Sequence, residues 1–161
     1  MTFDGALILI AVATAADGIL AGASLDQSIK QLPARHKMGM VAFSAYSQAA
    51  DLGPGVVWYA LLGVGSALLT IASAVVALVQ VAPLAQAWPL YLAAALAVAH
   101  SLATTQAAPT NFSQRRVAGD EERLRVVFAT FERWQTLRAV CQVLTFVAML
   151  VGLILYVAPA V

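Results

Sequence analysis

The chain has 161 residues, of which 61% are hydrophobic and only 11% charged, and its formal net charge is +1. A soluble domain of this size needs a larger polar surface, so this composition, with a mean hydropathy of +0.84, indicates an integral membrane protein. A single cysteine, Cys141, excludes an internal disulfide and a multi-cysteine metal site, and two histidines leave little material for any other metal centre.

Four apolar stretches are each long enough to cross a bilayer, which takes about 20 residues. Backbone groups in lipid must be satisfied within their own segment, so we expect four transmembrane helices in a single domain covering residues 1–161. The first basic residue is Lys30, and Asp4 stands where a signal peptide has lysine, so we expect Met1 to Ser28 to be retained. The four spans run from about 6 to 28, 56 to 81, 88 to 107 and 139 to 157.

The connections between the spans differ in character. The second and third spans are joined by a short hairpin with Pro83 and Pro89 as stop and start signals. The first long connection, residues 31–54, contains apolar residues at helical spacing, which predicts an interfacial helix or an extension of the second span. In the other long connection, the acidic run at 120–122 predicts a helix N-terminus, which favours acids.

All nine Lys and Arg residues lie in or beside the two long connections. The positive-inside rule then predicts two long cytoplasmic loops and both termini outside, which an even number of spans allows. We therefore expect an all-α integral membrane four-helix bundle, in a bacterial cytoplasmic membrane. The basic loops are expected to set this topology and contact anionic lipid, and we expect no nucleic-acid partner.

The last span begins with a stripe of polar and aromatic residues. Arg138 lies at or just inside the membrane edge, and charges there usually face protein or water and often mark function. Arg138 and Trp134 can also be read as a lipid-phosphate contact and an interfacial anchor, but Gln142 carries the polarity further inward than snorkelling explains. An arginine in this place can hold a carboxylate, a phenolate or an enolate. The stripe comprises Phe131, Trp134, Gln135, Arg138, Cys141, Gln142 and Thr145.

Two further spans carry ionisable residues. Asp17 is central in the first span, where an aspartate costs about 2.5 to 3.5 kcal/mol to insert. It is either a proton acceptor or substrate contact, or a neutral or hydrogen-bonded residue that holds helices together. Asp26 and Lys30 have the spacing of an ordinary helical ion pair. His100, late in the third span, can exchange protons near neutrality, can bind a metal, or can hydrogen-bond across helices.

Thr104 lies one turn after His100, and Asn111 shares their face if the helix continues through Pro109. The segment P-T-N-F at Pro109 to Phe112, followed by R-W-x-x-x-R from Arg133 to Arg138, resembles the anthrone-oxygenase-like family of small four-helix membrane proteins, many labelled as a domain of unknown function. The resemblance implies a four-helix bundle that, in some members, oxidises a polycyclic phenolic anthrone to a quinone with dioxygen and no conventional cofactor. Asn111, Trp134 and Arg138 are the positions that match its motif.

We therefore expect a membrane-embedded oxidoreductase or oxygenase acting on a hydrophobic aromatic molecule, anthrone- or quinol-like, in the cytoplasmic half of the bundle. No cofactor is predicted beyond dioxygen as co-substrate, and no metal, although a metal or haem at His100 is a third interpretation. The alternative is a non-enzymatic accessory subunit that binds lipid or another membrane protein, and homo-oligomerisation fits either interpretation. The expected catalytic residues are His100, Arg138 and Asp17, and the expected substrate-binding residues are Asn111, Trp134, Thr104 and Gln142.

Overall fold

The computed structural model describes residues 4–158, and within that range it contains helices and turns but no strand. The parts of the expected domain and N-terminal helix that fall on residues 1–3 and 159–161 lie outside this description. The all-α expectation is confirmed for the described residues. The helices are α1 Gly5–Asp26, α2 Leu32–Met38, α3 Met40–Ala49, α4 Gly55–Val79, α5 Leu84–Ser113 and α6 Glu121–Val157.

Four continuous helical stretches are long and apolar enough to cross a membrane, as the sequence predicts. A π-helical turn, Gln27–Gln31, joins α1 to α2, and a 3-10 turn, Gln114–Val117, extends α5. At 1.5 Å per residue the 37-residue α6 is about 55 Å long, whereas the hydrocarbon layer is about 30 Å thick. The helices therefore extend well past the predicted spans at one end of the bundle. We call this the basic end, because all nine Lys and Arg residues lie in or toward it.

The four long stretches alternate in direction, and each packs against its neighbours in a closed ring: α1 on α4, α4 on α5, α5 on α6, and α6 on α1. Small side chains permit close contact at selected points. A Cβ added at Gly152 would lie 2.6 Å from Leu90 Cδ2, and one added at Gly18 would lie 3.0 Å from the ring of Phe146. Gly18 is thus a contact between helices, as small residues in spanning helices commonly are.

The buried apolar residues form two separate cores. The terminal core, near the chain termini, includes Ile10, Leu90 and Met149. The basic-end core includes Leu32, Phe43, Leu124, Phe128 and Phe131. Between them lies a section whose buried side chains are largely polar, which we call the polar layer: Asp17, Ser24, Gln27, Thr70, His100, Gln135, Gln142 and Thr145.

The long connections prove to be folded segments of the bundle. At Gly39 the chain turns from α2 into α3 with φ 86°, a region that glycine adopts without a Cβ clash. The predicted helix in this connection is α3, and its Phe43 packs in the basic-end core. Helix α5 continues through Pro109, and Asp120 caps α6 by accepting a hydrogen bond from the Arg123 backbone N–H at 3.1 Å. The bundle therefore continues beyond the apolar spans as a second packed section.

Candidate functional site

A cavity of about 630 Å³ lies between the two cores, mainly between α4 and α5, with α6 behind it. Most of its wall is aliphatic. Its polar groups come from three helices and include two side chains that carry or can acquire a positive charge. The polar residues that line it are Tyr59, His100, Ser101, Thr104, Thr105, Arg138 and Gln142.

A second cavity of about 190 Å³ continues toward the basic end and shares wall residues with the first, among them Tyr59, Thr104 and Arg138. It is lined in addition by Asp51 and Asn111. The two cavities meet at the Arg138 and Tyr59 side chains. The site thus has a large apolar lobe and a small polar lobe, with the guanidinium between them.

His100 is 4% exposed, and its Nδ1 has no hydrogen-bond partner within residues 4–158. Helix α5 brings it onto the cavity wall together with Thr104, whose hydroxyl donates to the His100 backbone carbonyl at 2.8 Å. A buried polar atom without a partner costs about 1–3 kcal/mol. In native structures such an atom calls for an explanation, such as a catalytic role or a bound ligand, water or ion.

Arg138 also has a buried nitrogen without a hydrogen-bond partner among residues 4–158. Its Nη2 donates to Gln27 Oε1 at 3.3 Å, whereas its Nε is buried without a partner in the described chain. Next to it on the wall, Gln142 accepts a hydrogen bond from the Ser24 hydroxyl. Gln142 is thereby fixed to α1, while the guanidinium keeps donor capacity unused.

The predicted stripe on α6 does face the interior of the bundle. Gln135, Cys141 and Thr145 are buried, whereas Val140 and Leu144, which lie off the stripe, are about half exposed. Within the stripe only Arg138 and Gln142 line the large cavity. Gln135 and Thr145 belong to the polar layer, and Phe131 belongs to the basic-end core.

Asp51, in the turn before α4, closes the small lobe. The Ser47 hydroxyl donates to Asp51 Oδ2 at 3.0 Å. Burial raises the pKa of Asp51 above its ordinary value, and hydrogen bonds from Ser47 and Gln27 and the charge of Arg138 offset part of that rise. Asp51 thus places a carboxyl that holds its proton more tightly than usual on the wall of the small lobe.

Asn111 reaches the small lobe because α5 continues past Pro109. Its Oδ1 accepts a hydrogen bond from Gln114 Nε2 at 2.8 Å, and Gln114 Oε1 in turn accepts from the Ser44 hydroxyl at 3.0 Å. Because Ser44 belongs to α3, these bonds fasten α3 beneath the site. Asn111 is therefore held in place by neighbours on two elements.

Two of the predicted site residues are not brought into either cavity. Asp17 is buried in the polar layer, where its Oδ2 accepts a hydrogen bond from the Thr70 hydroxyl at 2.7 Å. This bond ties α1 to α4. Trp134 is half-buried and packs against the basic-end core. His100, Arg138, Thr104, Gln142 and Asn111 are the predicted residues that share the site.

Known proteins give no further guide. No family model, curated protein or solved structure matches the chain. Among residues 4–158, no three His, Cys, Asp or Glu side chains come together as a metal site. The cavity and the side chains around it therefore carry the information on function.

Sequence reasoning missed three features of this site. Tyr59 lies near the start of the second span, where an aromatic residue usually indicates a membrane interface, yet it lines both cavities. Gln27 was not singled out, although it lies in the π-helical turn, a feature frequent at functional sites. Gly63 and Ala67 have the spacing of small residues that is typical of a helix contact, yet both line the large cavity, and no atom of residues 4–158 lies within 4 Å of a Cβ built at Gly63.

Proposed function

We propose that this protein is a membrane-embedded oxidoreductase of the oxygenase type, acting on a hydrophobic aromatic molecule with an acidic hydroxyl or enol, such as an anthrone or a quinol. The observation that carries the proposal is that His100 and Arg138 both line one apolar cavity and that each has a buried nitrogen with no hydrogen-bond partner among residues 4–158. The cavity volume of about 630 Å³ falls within the usual range for ligand sites, about 300–1,000 Å³.

Each lobe suits one part of such a molecule. The aliphatic wall of the large lobe matches the ring system, which gains free energy by leaving contact with water. The oxygen substituent would lie near Arg138, where the two lobes meet. A guanidinium donates hydrogen bonds to an oxyanion more strongly than to a neutral carbonyl, so it favours the deprotonated form.

The chemistry then follows from deprotonation. The His100 imidazole takes a proton from the methylene carbon of the anthrone, and Arg138 stabilises the enolate that forms. The enolate carbon is oxidised by dioxygen, a C–O bond forms, and the resulting peroxide takes up the proton. Loss of the second methylene proton from the same carbon then forms the carbonyl as the O–O bond breaks, and the proton and the departing hydroxide leave as water. Anthrone and dioxygen thus give quinone and water, with four electrons passing from the carbon to oxygen.

The sidedness of the bundle belongs to the same proposal. We infer that the basic end faces the cytoplasm of a bacterium and that both termini lie outside, because Lys and Arg accumulate on the cytoplasmic side. The small lobe, with Asp51, then lies nearest to cytoplasmic water. Protons exchanged during turnover would pass through this lobe.

The test uses the protein in lipid nanodiscs with a dihydroxyanthrone as substrate. The readouts are oxygen uptake and quinone absorbance. We expect His100→Leu to lower kcat/KM by about 10²- to 10⁴-fold, the usual contribution of a general base. His36→Leu is the matched control, because His36 is exposed on α2 and lines neither cavity.

Two outcomes would overturn the proposal. One is a folded parent protein that neither consumes oxygen with the anthrone nor forms quinone. The other is equal turnover by the His100 and His36 variants. Copurification with one larger membrane protein in fixed stoichiometry, together with no turnover, would favour the accessory-subunit alternative.

A further inference from the structure

Some residues of the large cavity wall also face out of the bundle. Val64 is 61% exposed and Leu68 is 63% exposed, yet both line the cavity. Across from them on α5, Thr105 and Pro109 are exposed and line it as well. A residue that both lines a cavity and faces outward marks its rim. The cavity therefore has a mouth between α4 and α5.

The position of this mouth along α4 determines whether it opens to the hydrocarbon layer or to water. Val64 and Leu68 precede Val79, the last residue of α4, by 15 and 11 residues. At 1.5 Å per residue they lie about 22 Å and 17 Å from that end of the helix, within a hydrocarbon layer about 30 Å thick. Pro109, nearer the basic end, lies at the other edge of the mouth. The mouth thus runs from the acyl chains to the interface.

Gly63 lies beside this mouth, one residue before Val64. A Cβ at Gly63 would meet no atom within 4 Å, so a side chain there would project into open space at the cavity wall. Gly65, two residues further on, has equally open surroundings but does not line the cavity. The two glycines therefore form a matched pair on one helix.

We propose that the ligand is an amphiphile that enters the cavity sideways from the hydrocarbon layer, through the gap between α4 and α5, and that Gly63 sets the width of the ring system admitted. This inference rests on the proposed function for the identity of the ligand, because both concern the same cavity. To the proposed function it adds the route by which the ligand enters and the residue that limits the size of the ligand. An anthrone or quinol dissolved in the bilayer reaches Arg138 without first entering water.

The entrance is tested without any turnover. In a Cys141→Ala background, which removes the only cysteine, Val64→Cys is labelled with bimane in nanodiscs. We expect strong quenching by nitroxide-labelled phospholipid and little by aqueous iodide. His36→Cys, exposed at the basic end, is the aqueous control and should show the reverse. Iodide quenching at position 64 equal to that at position 36 would overturn the lateral entrance, whether or not the protein turns over an anthrone.

The selection by width is tested by ligand binding. We expect Gly63→Leu to weaken binding of a three-ring dihydroxyanthrone by at least about 10-fold, since crowding by a few methylenes changes affinity on this scale. Binding of one-ring hydroquinone should change less than about 2-fold on the same scale. Gly65→Leu should leave both ligands unaffected. Equal losses for both ligands, or equal losses in the two variants, would refute the role of Gly63.

If the parent protein binds no anthrone, the proposed function fails, while the bimane measurement still decides where the mouth opens. If it binds anthrone and iodide reaches position 64, the entrance inference alone fails. The two results are therefore separable.

Discussion

Replacing Arg138 with methionine should change the stability of the protein little but lower its activity strongly. The described chain gives the guanidinium one side-chain hydrogen bond, to Gln27 at 3.3 Å, and leaves Nε buried without a partner. Losing that bond costs about 1–3 kcal/mol at most. Removing a partly buried, incompletely paired charge gives back part of this amount, because its desolvation cost disappears with it. We therefore expect the free energy of unfolding to change by less than about 1–2 kcal/mol.

The effect on turnover should be much larger. A donor that stabilises a developing oxyanion contributes about 10²- to 10³-fold to kcat. We expect Arg138→Met to lose this factor when oxygen uptake and quinone absorbance are followed in nanodiscs. Arg125→Met is the control, because Arg125 is an exposed cation on the same helix whose surface ion pairs contribute about 0–1 kcal/mol.

Two results would refute this reasoning. If Arg138→Met unfolds while Arg125→Met does not, the guanidinium is chiefly a structural tie. If Arg138→Met keeps the parental kcat with the fold intact, no oxyanion forms beside it.

Two predictions concern the acids near the site. Thr70→Val removes the hydroxyl that donates to buried Asp17 and should lower the free energy of unfolding by about 1–3 kcal/mol in a dodecyl sulfate titration; an unchanged midpoint would mean that Asp17 has another donor. Because burial raises the pKa of Asp51, the folded protein binds that proton more tightly than the unfolded chain. Stability should fall as pH rises from about 4 through the raised value. Asp51→Asn should flatten this slope, and the same slope in both proteins would contradict the assignment.

The sequence was sufficient to predict the four spanning helices, because an apolar run of about 20 residues has few alternatives in a lipid environment. It also predicted the interior stripe on α6 and the ion pair between Asp26 and Lys30, which the structure contains. Both depend only on residue spacing within one helix. Patterns of this kind are set by helical geometry and need no knowledge of neighbouring helices.

The composition of the site was harder to predict because it depends on which helix faces meet. The partnership of Asp17 with Thr70 joins residues 53 positions apart. Gln27 comes close to Arg138 only because α1 packs on α6. Nothing in the sequence marks Gly63 as a site residue, because it has no side chain, and a small residue in a membrane helix usually indicates a helix contact. Only the space around its Cβ identifies it as part of a cavity wall.

The separation of the two apolar cores has a consequence for motion. The terminal core joins α1, α4, α5 and α6, and the basic-end core joins α2, α3, α5 and α6, whereas the cavity lies in the polar layer between them. Local opening is easiest where buried apolar contacts are fewest. The middle of the bundle can therefore open while both cores stay packed. Helices α4 and α5 can separate transiently beside the cavity at a small fraction of the free energy of unfolding.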